Sequence, residues 1–204
     1  MIKVCKFGGL SLASGEQFKK VKDIVKGDET RCVVVVSAPG RRFEGDSKIT
    51  DLLYLCHAHL KYGVTMALMA EYLGFEFADA KDFHKTNDAL RKIISETPKV
   101  VIPGFYGAMP DGSIRTFSRG GSDITGAIAA AAIGAGAYEN WTDVSGILMA
   151  DPRIFSNPKS IEKITYAELR EMSYMGAEVL HEEAVFPVRK GAATNAVQIA
   201  ELLI

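Results

Sequence analysis

Disulfides are the first thing this chain lacks. Its 204 residues hold three cysteines, an odd number, and Cys5, Cys32 and Cys56 sit within apolar runs. That usage suits reduced, buried thiols of a cytosolic protein and argues against a cysteine nucleophile. An excess of one charge is also missing. Lysine and arginine number 24 against 25 acidic residues, a formal charge of -1, so nothing attracts nucleic acid or an anionic membrane in general and any anion site must be local. No apolar run is long enough for a bilayer: the longest charge-free helical stretch, Ile124 to Tyr138, is short and rich in Ala and Gly. No signal-peptide core follows the opening strand pattern, which makes the cytoplasm the expected location. Histidine is scarce, and His57, His59, His84 and His181 lack partners at metal-ligand spacing. A GxSxG elbow for a serine hydrolase is absent too.

What is present is an ordinary globular composition, 48% hydrophobic, in a chain long enough to bury roughly 70% of its unfolded surface without a staple. The apolar runs alternate in type. Ile2 to Phe7 reads as a strand, and Phe18, Val21, Ile24 and Val25 lie at helical spacing within Gly15 to Lys26. Four valines at 33 to 36 form the continuous β-branched run of a parallel strand covered on both faces. Helices are predicted over Ile49 to Tyr62, Val64 to Leu73, Lys85 to Ile94, Ile124 to Ala135, Tyr166 to Tyr174 and Glu178 to Arg189. Strands are predicted over Phe75 to Ala78, Val100 to Ile102, Tyr138 to Thr142 and Ile161 to Ile164, and a hairpin over Gly107 to Phe117 around Pro110, Asp111 and Gly112. Gly191 to Ile204 fits neither period. No repeat or Pro/Ser linker divides the chain, so one α/β domain with helices on both faces of the sheet is expected for residues 1–204.

Two segments share one physical design. Lys6, Gly8, Gly9 and Ser11 follow a strand and lead toward a helix; Arg119, Gly120, Gly121, Ser122 and Asp123 lead directly into another. Paired glycines let the backbone turn tightly and present successive N–H groups, a helix start adds unpaired donors, and each segment brings a cation. Both are candidate phosphate cradles. Two decoys fail. Gly40 to Ser47 approaches a Walker A pattern but places Asp46 at the lysine position. Gly134 to Glu139 opens like GxGxxG but has Glu139 at the third glycine and closes a helix. A third cluster, Trp141 to Gly146 followed by Asp151, Pro152 and Arg153, puts polar groups at a strand's carboxyl end, where open α/β sheets bind ligands.

Taken together, KFGG at 6–9, VVVVSAPG at 33–40, KITDLL at 48–53, FSRGGSDITGA at 117–127, WTDVSGILMADPR at 141–153 and MGAEVLHEEAVFPVR at 175–189 closely resemble the aspartokinase family. The resemblance runs in order over most of the chain. It implies the amino-acid-kinase fold, a three-layer α/β/α sandwich with a mainly parallel central sheet. It also implies transfer of the ATP γ-phosphoryl group to the β-carboxylate of L-aspartate, with Mg2+, as the first step toward lysine, threonine and methionine. On that resemblance Lys6 contacts the transferring phosphoryl group, Gly8, Gly9 and the Ser11 region donate N–H groups, and Asp123 orients Lys6 or helps organise metal and phosphates. Thr50, Arg119 and Ser122 hold aspartate, and Thr142, Asp143 and Arg153 bind the nucleotide.

The sequence also departs from the family. Leu10 stands where a hydroxyl residue is usual, Leu148 where tyrosine is frequent, and Glu178 where some members have a lysine. The Gly-Glu motif whose glutamate binds the substrate amino group has no counterpart between the KITDLL segment and Leu68, the segment Ala80 to Thr86 is shortened, and GAATNAVQIAELLI replaces the family's usual strand after Arg189. Regulatory ACT domains are expected to be absent. The alternative reading is therefore a catalytically impaired or minimised nucleotide-binding scaffold derived from an aspartokinase. Loss of a helical segment would bare apolar surface, which makes a homodimer a possible assembly.

Overall fold

The computed structural model describes residues 1–41, 76–77, 87–108, 114–116, 120–142, 146–151, 154–174 and 197–201. Its centre is a parallel sheet of β1 (Lys3–Phe7), β2 (Arg31–Val36), β3 (Glu76–Phe77), β4 (Val100–Pro103), β7 (Ala137–Thr142) and β8 (Val197–Glu201), in the order β3-β4-β2-β1-β7-β8. β5 (Tyr106–Ala108) and β6 (Ile114–Thr116) form the expected antiparallel hairpin apart from it. Val33 to Val36 are fully buried, as a strand covered on both faces requires.

One face carries α1 (Gly15–Lys26). Ser14 caps it in extended geometry, its side chain accepting from Gln17 N–H, and the helix stops at Gly27. Val21 and Val25 pack with Leu12 onto Cys5, Phe7, Val34 and Val36, each valine contributing about 1.5–3 kcal/mol by leaving water. The other face carries α2 (Asn87–Glu96), α3 (Gly121–Ile133) and Leu169 of α4 (Tyr166–Tyr174) against Val4, Val33, Val35, Val100, Ile102 and Tyr138. The alanines of α3 bring its backbone close to the sheet, and Arg91 of α2 donates to the Ala132 carbonyl. These are the three layers expected.

The structure corrects two expectations. Ile161 to Ile164 is not a strand: Ser160 alone bridges Leu148, and Ile161 and Ile164 pack on the core from an irregular segment. Their apolar side chains are spent on that packing, with no ladder of strand pairs at 161–164. In the open stretch after Arg189, Val197–Glu201 is a strand pairing in parallel with Tyr138 to Thr142. The helices predicted over 49–62, 64–73 and 178–189, all four histidines, Cys56, and Glu178 lie outside the described residues.

Candidate active site

The carboxyl ends of β1, β2, β4 and β7 open on the same edge of the sheet, and α3 starts above them. Lys6, on the α3 face of β1, is 7% exposed. Its Nζ lies 2.7 Å from Oδ1 of Asp123 in the first turn of α3. This is the contact of Asp123 Oδ1, and it approaches off the hydrogen-bonding directions, so it acts as an ion pair. Gly120 supplies the left-handed conformation (φ 59°) that turns the chain into α3, and among the described residues no side chain caps the helix. Ile124 N–H bonds Gly120 O, which among the described residues leaves the N–H groups of Gly121, Ser122 and Asp123 as the unpaired donors of the helix start. Ser37, at the end of β2, bonds Ser122 Oγ to Oγ at 2.5 Å. Gly104 after β4 permits that closeness: a Cβ there would lie 2.7 Å from Val35 Cγ1 and 2.8 Å from Ser122 Cα.

The turn after β1 is built differently. Gly8 N–H donates to Trp141 O at 3.2 Å, and the N–H groups of Ser11 and Leu12 bond Gly8 O and Gly9 O in a short 3-10 turn, Leu10–Leu12. α1 therefore starts beyond the turn, at Ser14, and the turn itself offers the amides of Gly9 and Leu10. Gly40 N–H closes onto Gly9 O at 2.7 Å, fastening this turn to the loop after β2.

Of the residues singled out in the sequence, Lys6, Gly8, Gly9, Gly120, Gly121, Ser122 and Asp123 gather at this edge, and Thr142 ends the neighbouring β7. Ser11 is buried beneath the turn. Thr50, Arg119, Asp143 and Arg153 lie outside the described residues. No three His, Cys, Asp or Glu side chains converge for a metal among the described residues.

Two features escaped sequence reasoning. One is Ser37. The other is a charged cluster on the α1 face. Glu139, 2% exposed, receives Arg31 Nε at 2.7 Å, Lys3 Nζ at 3.0 Å, Trp141 Nε1 at 3.1 Å and Cys5 Sγ at 3.4 Å. Burial pushes this carboxyl up, but hydrogen bonds from Arg31, Lys3 and Trp141 outweigh it and hold the group below its ordinary value. Burial, with the Glu139 charge beside it, pushes the Cys5 thiol well up, so it stays neutral and inert. Lys3 also bonds Asp28 at 2.8 Å, which with Thr30 holds that carboxyl far below the usual range. The available signal was a glutamate and an asparagine in mid-strand: Asn140 is also buried, its Oδ1 without a hydrogen-bond partner.

The family model of the amino acid kinase family matches residues 1–199. Aspartokinase 3 of Bacillus subtilis is 33% identical over 91% of this chain and 58% of its own length; the chain spans little more than half the length of the curated relatives it matches. The solved aspartate kinase of Clostridium acetobutylicum superposes with a TM-score of 0.88 at 42% identity, over 98% of this chain and 60% of that one. Aspartokinase III of E. coli, in complex with lysine and aspartate, does so at 0.67 and 25%, over 98% and 64%. With a match that runs almost from end to end and a sheet that superposes closely on a solved member, this chain belongs to the amino acid kinase family.

Proposed function

We propose that the chain is the catalytic unit of an aspartokinase, moving the γ-phosphoryl group of ATP to the β-carboxylate of L-aspartate to give 4-phospho-L-aspartate. The observation that carries this reading is the meeting of Lys6 with the start of α3, where Gly120 turns the chain into the helix. A buried ammonium and three amides without a partner among the described residues face the same edge as the Gly9 and Leu10 amides. Such donors suit an anion whose charge is spread over several oxygens. The aspartate bound in the E. coli relative supports that acceptor.

A carboxylate acceptor is already ionised at pH 7, so no general base is required, and catalysis reduces to alignment and charge neutralisation. In this reading Lys6 neutralises the transferring phosphoryl group, released to it from Asp123, which otherwise holds the ammonium in place. Gly8 and Gly9 shape the first cradle, Ser11 supports it from below, and Gly120 and Gly121 shape the second. Ser122 with Thr50 and Arg119 takes aspartate, Arg119 by a two-point grip on the α-carboxylate. Thr142, Asp143 and Arg153 take the nucleotide. Mg2+ would screen the phosphates, and among the described residues the Asp123 carboxylate would share it. We read residues 1–204 as one unit acting in the cytoplasm; no helix among the described residues is long and apolar enough to cross a membrane. A homodimer belongs to the same proposal, and solution mass at several concentrations tests it.

The decisive assay is ADP release coupled to NADH oxidation, with and without aspartate. Aspartate-dependent turnover is expected. Saturable ATP binding without it would reduce the chain to a nucleotide-binding domain.

A further inference from the structure

The Glu139 cluster lies on the α1 face, away from Lys6, yet one of its members reaches the site. Trp141 donates its indole N–H to Glu139, the Arg31 guanidinium lies 5.2 Å from its ring centroid, and Phe7 stacks on it at 6.1 Å with the planes 16° apart. The carbonyl of this same residue accepts the Gly8 N–H. Phe7 and Trp141 are the last register partners of β1 and β7, so that bond is the final tie before the chain leaves the sheet for the Gly8–Gly9 turn. A Cβ on Gly8 would lie 3.8 Å from both Lys6 Nζ and Trp141 O, which puts the tie beside the ammonium.

Apolar packing alone could join these strands, and burying ions is a costly way to do so. What a hydrogen-bonded and stacked indole adds is orientation: the ring cannot slide or turn without breaking a contact to Glu139, Arg31 or Phe7. We propose that Trp141, held by Glu139 and Arg31, is a positioning residue that sets the gap between the Gly8–Gly9 turn and the carboxyl end of β7, and thereby the fit of the nucleotide phosphates. This inference rests on the function proposed above and deepens it.

The test compares Trp141→Phe, Trp141→Leu and Arg31→Lys with the parent chain by steady-state kinetics and by amide exchange at Gly8. Phenylalanine keeps a ring but loses the N–H, and should raise the KM for ATP about threefold; leucine should raise it about tenfold or more. In both, kcat and the KM for aspartate should stay within about twofold, and Gly8 exchange should quicken in the order Trp, Phe, Leu. An unchanged KM for ATP, equal losses for both substrates, or a fall in kcat alone would overturn the proposal. If the leucine variant does not fold, Arg31→Lys decides: it keeps the charge toward Glu139 but loses the planar contact, and should still raise the KM for ATP and speed Gly8 exchange. If the parent chain shows no aspartate-dependent turnover, the proposed function fails, while Gly8 exchange still judges the tie, and exchange unmoved in Trp141→Leu overturns it.

Discussion

Replacing Glu139 with glutamine keeps the shape of a 2%-exposed side chain and deletes its charge. Removing one member of a buried ion pair costs about 3–5 kcal/mol when the other is left stranded. Here the partners are not wholly stranded. Arg31, 16% exposed, keeps its bond to Ile24 O at 2.6 Å, and Lys3, 29% exposed, keeps Asp28. The expected loss is therefore about 2–3 kcal/mol. With a urea slope of roughly 2 kcal/mol per molar, the midpoint at pH 7 should fall by about 1–1.5 M, read by circular dichroism. The pH dependence supplies a second check. The Glu139 carboxyl is held below its ordinary value in the folded chain, so its contribution is present above the unfolded value of about 4.3 and is lost as pH falls through the folded one. The gap between parent and variant should be widest near neutrality and close in acid. Equal midpoints at pH 7, or a gap that widens on acidification, would refute the reasoning.

Lys6→Met should cut kcat by about 100-fold or more while leaving ADP affinity within about threefold, because the ammonium is assigned to charge that develops in transfer; an undiminished kcat removes Lys6 from the chemistry. Gly104→Ala drives a methyl against Val35 and Ser122 and should cost about 1–3 kcal/mol in a melt while raising the KM for aspartate. Asp28→Asn should flatten the acid limb of the stability profile, since that carboxyl is held down by Lys3 and Thr30 and its contribution disappears as pH falls. Cys5, buried and with its thiol held neutral, should resist iodoacetamide until the chain unfolds, followed by peptide mass; rapid labelling of the native chain would contradict the buried cluster.

Much of the machinery is local in origin and therefore legible. The valine run at 33–36, the helical spacing of Val21 and Val25, and the glycine pairs beside Lys6 and Asp123 each carry their meaning within a few residues, because backbone freedom and apolar period are properties of short segments. Tertiary structure alone decided what those segments do together. The sheet order sets β1 between β2 and β7, so Lys6 meets Asp123, and Ser37 meets Ser122 across 85 positions. The same order brings Arg31 to Glu139 across 108 positions. Val197–Glu201 became a strand through pairing with β7, a contact no local period announces. Which amides are engaged was likewise settled by pairing: among the described residues Gly8 N–H is taken by Trp141 O, while the first-turn N–H groups of α3 meet no side-chain cap.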